Sequence, residues 1–205
     1  MSPLARVLAD RRRKVRGDSG FTLIELLVAM SIFSVVLAVA MTGIVSVTGN
    51  LRKAQNQTDA MDQTMRTMSR LDKEVPYAAA ITTPGQVGSD WYVEYETTLA
   101  GSDTCDQWRV VAATDLVQHR SWNNGSTPPS TWETVAKYIV NDPTTQPPFV
   151  LRTSVTDPTL MNQVLVVDLF AQRGGISSGS AETKESFVAR NSKGNPDASD
   201  CIVRP

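Results

Sequence analysis

The chain predicts an α+β fold: a long N-terminal helix followed by an antiparallel β-sheet head. Three features of the 205-residue sequence carry that expectation. Residues 21–47 form an apolar run whose only charge is Glu25. Apolar residues then recur at helical spacing as far as Pro76. From residue 77 the pattern changes to short β-rich runs separated by loops rich in Gly and Pro. Helix first and strands after is the α+β order, and the length suits one globular domain plus an appendage.

The first element is set by charge. Residues 1–20 hold Arg6, Arg11, Arg12, Arg13, Lys14 and Arg16 against Asp10 and Asp18, about +4. A chain total of −1 then leaves about −5 for residues 21–205. The basic character is local, and the remainder offers no basic surface for nucleic acid. At 1.5 Å per residue the apolar run makes roughly 40 Å of helix, against a hydrocarbon core of roughly 30 Å. It is long enough to span a bilayer. The cations of residues 11–16 outnumber Arg52 and Lys53 on the far side, which keeps the N-terminus cytoplasmic. The expected division is a basic leader (1–20), a membrane helix (21–48), its amphipathic continuation (49–76) and an extracytoplasmic head (77–205).

The continuation carries Leu51, Ala54, Thr58, Met61, Met65, Met68, Leu71 and Val75 at spacings of three and four. This predicts one apolar stripe packed on the head's sheet, ended by Pro76. In the head, residues 90–99, 106–111, 116–122, 148–152, 163–172 and 185–190 read as strands, with a hairpin across Ala112–Asp115. Ser130 and Glu133 have capping-box spacing and predict a short helix over 131–139, with a strand near Tyr138–Val140 as the alternative. Cys105 and Cys201, an even pair outside the cytoplasm, predict a disulfide.

Glu25 needs a reason, since a charge at membrane depth costs about 2.5–3.5 kcal/mol even on the mildest scale. A secretory signal cut at Ala38-Val39-Ala40 would leave the carboxylate in its apolar core, and a plain anchor gives it no purpose. A cut between Gly20 and Phe21 does give it one. The new Phe21 α-amine would be a cation one helical turn from Glu25, on the same chain or on a neighbour.

Gly20-Phe21-Thr22-Leu23-Ile24-Glu25-Leu26, with its basic leader and long apolar run, resembles the processing motif of type IV prepilins and type II secretion pseudopilins. The resemblance implies a pilin-like fold and a structural, non-enzymatic subunit. Gly20 would be the residue before the cut, Phe21 the N-methylated terminus and Glu25 the carboxylate that registers one subunit against the next. It also implies partners: a prepilin peptidase/N-methyltransferase, other pilins or pseudopilins, an inner-membrane assembly platform and membrane lipid. Within the family, the head's length and late strand pair are most similar to the larger minor subunits, the pilin W or pseudopilin J type. A filament-tip binding module, an adhesin or DNA-uptake subunit, is the rival reading.

Catalytic readings fail on context, and no cofactor is expected. Gly175-Ile176-Ser177-Ser178-Gly179 matches G-x-S-x-G, but the following Ser178–Lys184 stretch reads as a polar loop, not a helix. The single histidine, His119, lies before that serine and reads as exposed or hairpin-paired. Glu94 and Glu96 share one strand face and read as solvated. Asn195, Asp197 and Asp200 are weak calcium candidates without EF-hand spacing, so no metal is expected. Arg11-Arg12-Arg13 lacks the apolar flank of a twin-arginine signal.

Overall fold

The computed structural model of the chain describes residues 20–98, 101–174, 179–193 and 198–205. Helix α1 runs from Leu23 to Glu74, 52 residues without a proline. Pro76 ends it by removing a donor and crowding the preceding turn, and one turn of 3-10 helix, Val75–Tyr77, leads into the first strand. The chain divides into two compact units, Met1–Thr48 and Gly49–Pro205.

Over its described residues the first unit is residues 20–22 and the apolar part of α1. Its large side chains lie open, from 45% exposed at Leu37 to 83% at Phe21. The hydroxyls of Ser31, Ser34, Thr42 and Thr48 donate to the carbonyls of Leu27, Met30, Ala38 and Ile44 at 2.8–3.0 Å. These polar groups are satisfied within the helix, as a hydrocarbon environment requires.

The second unit packs the rest of α1 on two antiparallel sheets. Strands β1 (Ala78–Ile81), β3 (Asp90–Thr97), β4 (Thr104–Val111), β5 (Leu116–Asn123) and β6 (Glu133–Lys137) lie in that order, and β2 (Gly85–Val87) also pairs with β3. The second sheet is β7 (Phe149–Arg152), β8 (Val164–Gln172) and β9 (Ser180–Val188). Tyr138 takes a left-handed φ of 67° just after β6. The chain thereby turns onto β8, where Ile139 bridges Ala171 and the Val140 N–H donates to the Phe170 carbonyl at 2.8 Å. Val93, Tyr95 and Trp108 of the first sheet and Leu165, Val167 and Leu169 of the second are buried with Met68 and Leu71 of α1 and Val75 of the 3-10 turn in one core. Each such side chain contributes about 1.5–3 kcal/mol when fully buried.

Several expectations are corrected. Of the predicted stripe, Met68, Leu71 and Val75 are buried, whereas Leu51, Met61 and Met65 stay 46–57% exposed. Ala60, Thr64 and Thr67 are buried instead. The cause is close approach: the Thr64 hydroxyl meets that of Thr183 on β9 at 2.8 Å, and Gly179 lies against the backbone of Lys53 and Gln57. Small residues fit there and methionines do not. The expected short helix at 131–139 is strand β6, because residues 133–137 complete the edge of β5 and Glu133 is taken by Arg70 at 2.7 Å. The alternative survives in the Ile139 bridge.

Ser180–Lys184 belongs to β9 and is not a loop. Strands β1 and β2 went unread because Ala78-Ala79-Ala80-Ile81 and Gly85-Gln86-Val87 have little β-branched content. Pairing with β3 makes them strands, and the Gln163 amide completes β1 by accepting the Ile81 N–H at 2.8 Å.

Candidate functional site

Thr22 stands just before α1 and caps it. Its hydroxyl accepts the Glu25 N–H at 3.3 Å, and its carbonyl accepts the N–H groups of Glu25 and Leu26 at 3.1 and 3.2 Å. Thr22-Leu23-Ile24-Glu25 has capping-box spacing, which puts the Glu25 carboxylate at the positive end of the helix dipole. Pattern reading passed over Thr22, although the T-x-x-E spacing signals it. The Glu25 side chain has no hydrogen-bond or ion-pair partner among the described residues. Gly20 is exposed, a Cβ there would meet nothing within 4 Å, and its φ is not positive. The fold itself therefore places no demand for glycine at this position.

Residues 15–41 match a family model described as the prokaryotic N-terminal methylation motif. This chain carries a prepilin-type methylation motif. The motif takes in Gly20, Phe21, Thr22 and Glu25 and ends within the apolar run; the head lies beyond it. No curated protein and no solved structure matches the chain.

Outside the motif, the head gathers its polar side chains at two places. On the sheet face away from α1, Cys105 and Cys201 form a disulfide with Cα atoms 5.4 Å apart. The bridge closes a loop of 96 residues, worth up to about 4–5 kcal/mol of chain entropy. Beside it Glu94, expected to be solvated, is fully buried. Its carboxylate accepts from Arg204 Nη2 at 2.6 Å and Nε at 3.0 Å, from Gln107 Nε2 at 2.7 Å and from the Thr82 hydroxyl at 2.7 Å. A Cβ at Gly85 would run into Arg204 Nη1, so glycine there lets the tail lie down. Glu96 is half-buried and accepts from Asn124 Nδ2 at 2.6 Å. The two glutamates anchor loops and the tail.

Facing α1, His119 is 3% exposed and hairpin-paired with Trp108, whose ring centroid lies 4.8 Å away. Its Nε2 is 3.0 Å from Asp106 Oδ1, and Arg70 Nη2 donates to its Nδ1 at 2.7 Å. Arg70 also donates to Glu74 at 2.9 Å and to Glu133 at 2.7 Å. Tyr95 donates its hydroxyl to Glu74 and accepts the Trp108 indole N–H at 2.8 Å. Burial, reinforced by Glu74, raises that phenol well above its ordinary 10.0, so it remains a donor. Glu74, Asp106 and His119 bring ligand atoms within 4.8 Å of one another. The positive charge among them is already supplied by Arg70, so the arrangement works as a cation-filled clasp joining α1 to β3, β4, β5 and β6. Hairpin pairing of His119 was legible in the sequence; its burial was not, because it depends on the helix laid across it.

This clasp and two loops give an acid dependence. The Arg70 hydrogen bond holds the Glu133 carboxyl below its ordinary 4.5. The Thr145 and Thr144 N–H groups hold Asp142 below 3.8, and the Thr159 hydroxyl and N–H do the same for Asp157. A carboxyl lowered in the folded state takes up its proton first in the unfolded state. Stability from all three is present above those ordinary values and is lost as pH falls through the lower folded ones. Melting temperature is therefore expected to decline as pH drops below 4.5, and Glu133→Gln should flatten part of that decline; a melting temperature that rises into acid would refute it.

Of the remaining candidates, Gly175–Ser178, Asn195 and Asp197 lie outside the described residues. Gly179 is described and has a φ of 94°. Asp200 is exposed in the turn Ser199–Cys201.

Proposed function

We propose that this chain is a non-enzymatic structural subunit, a minor pilin or pseudopilin. It is made as a membrane precursor, cut between Gly20 and Phe21, methylated on Phe21 and assembled through residues 21–48 into a pilus-like or secretion filament. The observation that carries this reading is the Glu25 carboxylate, which has no partner among the described residues and is set by Thr22 at the start of the helix inside the methylation motif. An ionisable group in an apolar run is retained when an opposite charge meets it, and a freed Phe21 amine on a neighbouring copy supplies one. Gly20 fits the same reading: the fold makes no use of a glycine there, whereas a peptidase that reads the junction would.

Residues 1–20 then serve as a leader, 49–76 as the helix that carries the head, and 77–205 as an extracytoplasmic head. Its partners are the prepilin peptidase/N-methyltransferase, other pilins or pseudopilins, the inner-membrane assembly platform and lipid. Within the family we assign the strand-rich head, by its length and late strand pair, to the pilin W or pseudopilin J type. Intact-mass analysis of the chain from its native membrane tests the proposal. The expected mass is that of residues 21–205 plus one methyl group, and Gly20→Arg should leave the full precursor. A chain beginning at Met41 would mean cleavage at the Ala38-Val39-Ala40 site and would overturn it.

A further inference from the structure

One groove in the head is lined by charge that the core and the clasp do not use. It lies between α1 and the turn from β6 to the second sheet, with a volume of about 420 Å³. Gln63 and Arg66 form one wall, Lys137 and Tyr138 the other, and Arg173 and Asp59 close an end. The Lys137 ammonium is exposed and has no partner among the described residues. Arg66 reaches Asp62 through Nε at 2.8 Å and Arg173 reaches Asp59 through Nη1, each guanidinium leaving donors unused.

Three cations thus stand against one lining carboxylate, in a chain whose residues beyond the leader carry about −5. The backbone holds this set in place. Tyr138 takes its left-handed φ of 67° at the groove wall, and its ring lies 5.5 Å from the Arg173 guanidinium. The Lys137 N–H donates to Gln63 at 3.0 Å, fixing that residue against α1. Strained backbone that positions free donors is a feature of ligand clamps.

We propose that this groove docks a carboxylate-bearing segment of a neighbouring protein subunit. Planar guanidiniums with free N–H pairs suit carboxylates, and the ammonium adds a point charge. Asp59, with Asp62 beyond it, opposes a dense polyphosphate and admits a segment bearing one or two carboxylates. The proposal deepens the reading of the chain as an assembling subunit and rests on it.

The test uses the full chain in lipid nanodiscs, titrated with a short N-acetylated, C-amidated peptide carrying two glutamates and followed by the amide resonances of Lys137 and Tyr138. Saturable, salt-sensitive binding is expected, weakened at least tenfold by Lys137→Glu with no change in melting temperature, because that side chain is exposed. Absence of saturable binding, an unchanged affinity in Lys137→Glu, or tighter binding of polyphosphate or a single-stranded oligonucleotide would each overturn it. The Gly20→Arg precursor should bind equally, so failure here is distinguishable from failure of processing.

Discussion

Glu25→Ala is expected to be cleaved normally after Gly20 and yet enter filaments at about one hundredth of the wild-type level or less. Cleavage should survive because the junction, Gly20–Phe21, is untouched. Membrane insertion should survive because removing a charge favours the lipid phase. Capping is retained as well, since the Thr22 hydroxyl accepts the backbone N–H of residue 25, which alanine keeps. On the proposed pairing, what is lost is the counter-charge for the Phe21 amine inside an apolar helix bundle. Breaking a buried pair by removing one partner costs about 3–5 kcal/mol, and each 1.4 kcal/mol is tenfold. Co-purification with filaments, measured beside cleavage for wild type, Glu25→Ala and Thr22→Val, reads the effect. Thr22→Val removes the hydroxyl and keeps the charge, so it should assemble better than Glu25→Ala. Wild-type co-assembly of Glu25→Ala would remove the pairing account.

Glu94→Ala should lower the stability of the head by about 3–5 kcal/mol, for a related reason in a different place. The carboxylate is fully buried and collects donors from Arg204, Gln107 and Thr82. Its removal leaves the Arg204 guanidinium without its counter-charge, while Arg204, Gln107 and Thr82 keep bonds to the carbonyls of Thr83, Val203 and residue 94. For a chain of this size that corresponds to a fall in melting temperature of roughly 6–20 °C. Arg204→Ala alone should also destabilise, because it leaves the buried carboxylate without its cation. The double variant Glu94→Ala/Arg204→Ala should cost less than the sum of the two, as contacting partners do in a double-mutant cycle. Additive losses would mean that the pair is not coupled. With the disulfide intact the tail remains tethered at Cys201, so reduction before melting should add to the loss in either variant.

The N-terminal part was legible because its information is local. A long apolar run, a basic flank and one misplaced carboxylate lie within the first 47 residues, and each has a meaning set by its near neighbours in sequence. Even the missed cap was local: Thr22 and Glu25 had the spacing that was read at Ser130 and Glu133. At Thr22 the following residues continue as helix; at Glu133 an open strand edge and Arg70 claimed the same pattern. The two β-rich hairpin strands and β8 were legible too, since alternation and β-branched content persist over eight or nine residues.

The sequence by itself determined the order of helix and strands, the membrane-spanning length, the motif at Gly20–Glu25 and the cysteine pair able to bridge. Tertiary structure alone decided which face of α1 is buried, because β9 passes so near that Ala60 and Thr64 fit where Met61 and Met65 would not. It decided that Glu94 is a buried anchor, since the donor that neutralises it, Arg204, lies 110 residues away in sequence. It gathered Lys137 and Arg173, 36 positions apart, beside Arg66 in one groove. Spacing along a chain reports what a helix or strand brings together; it cannot report what a second element lays across it.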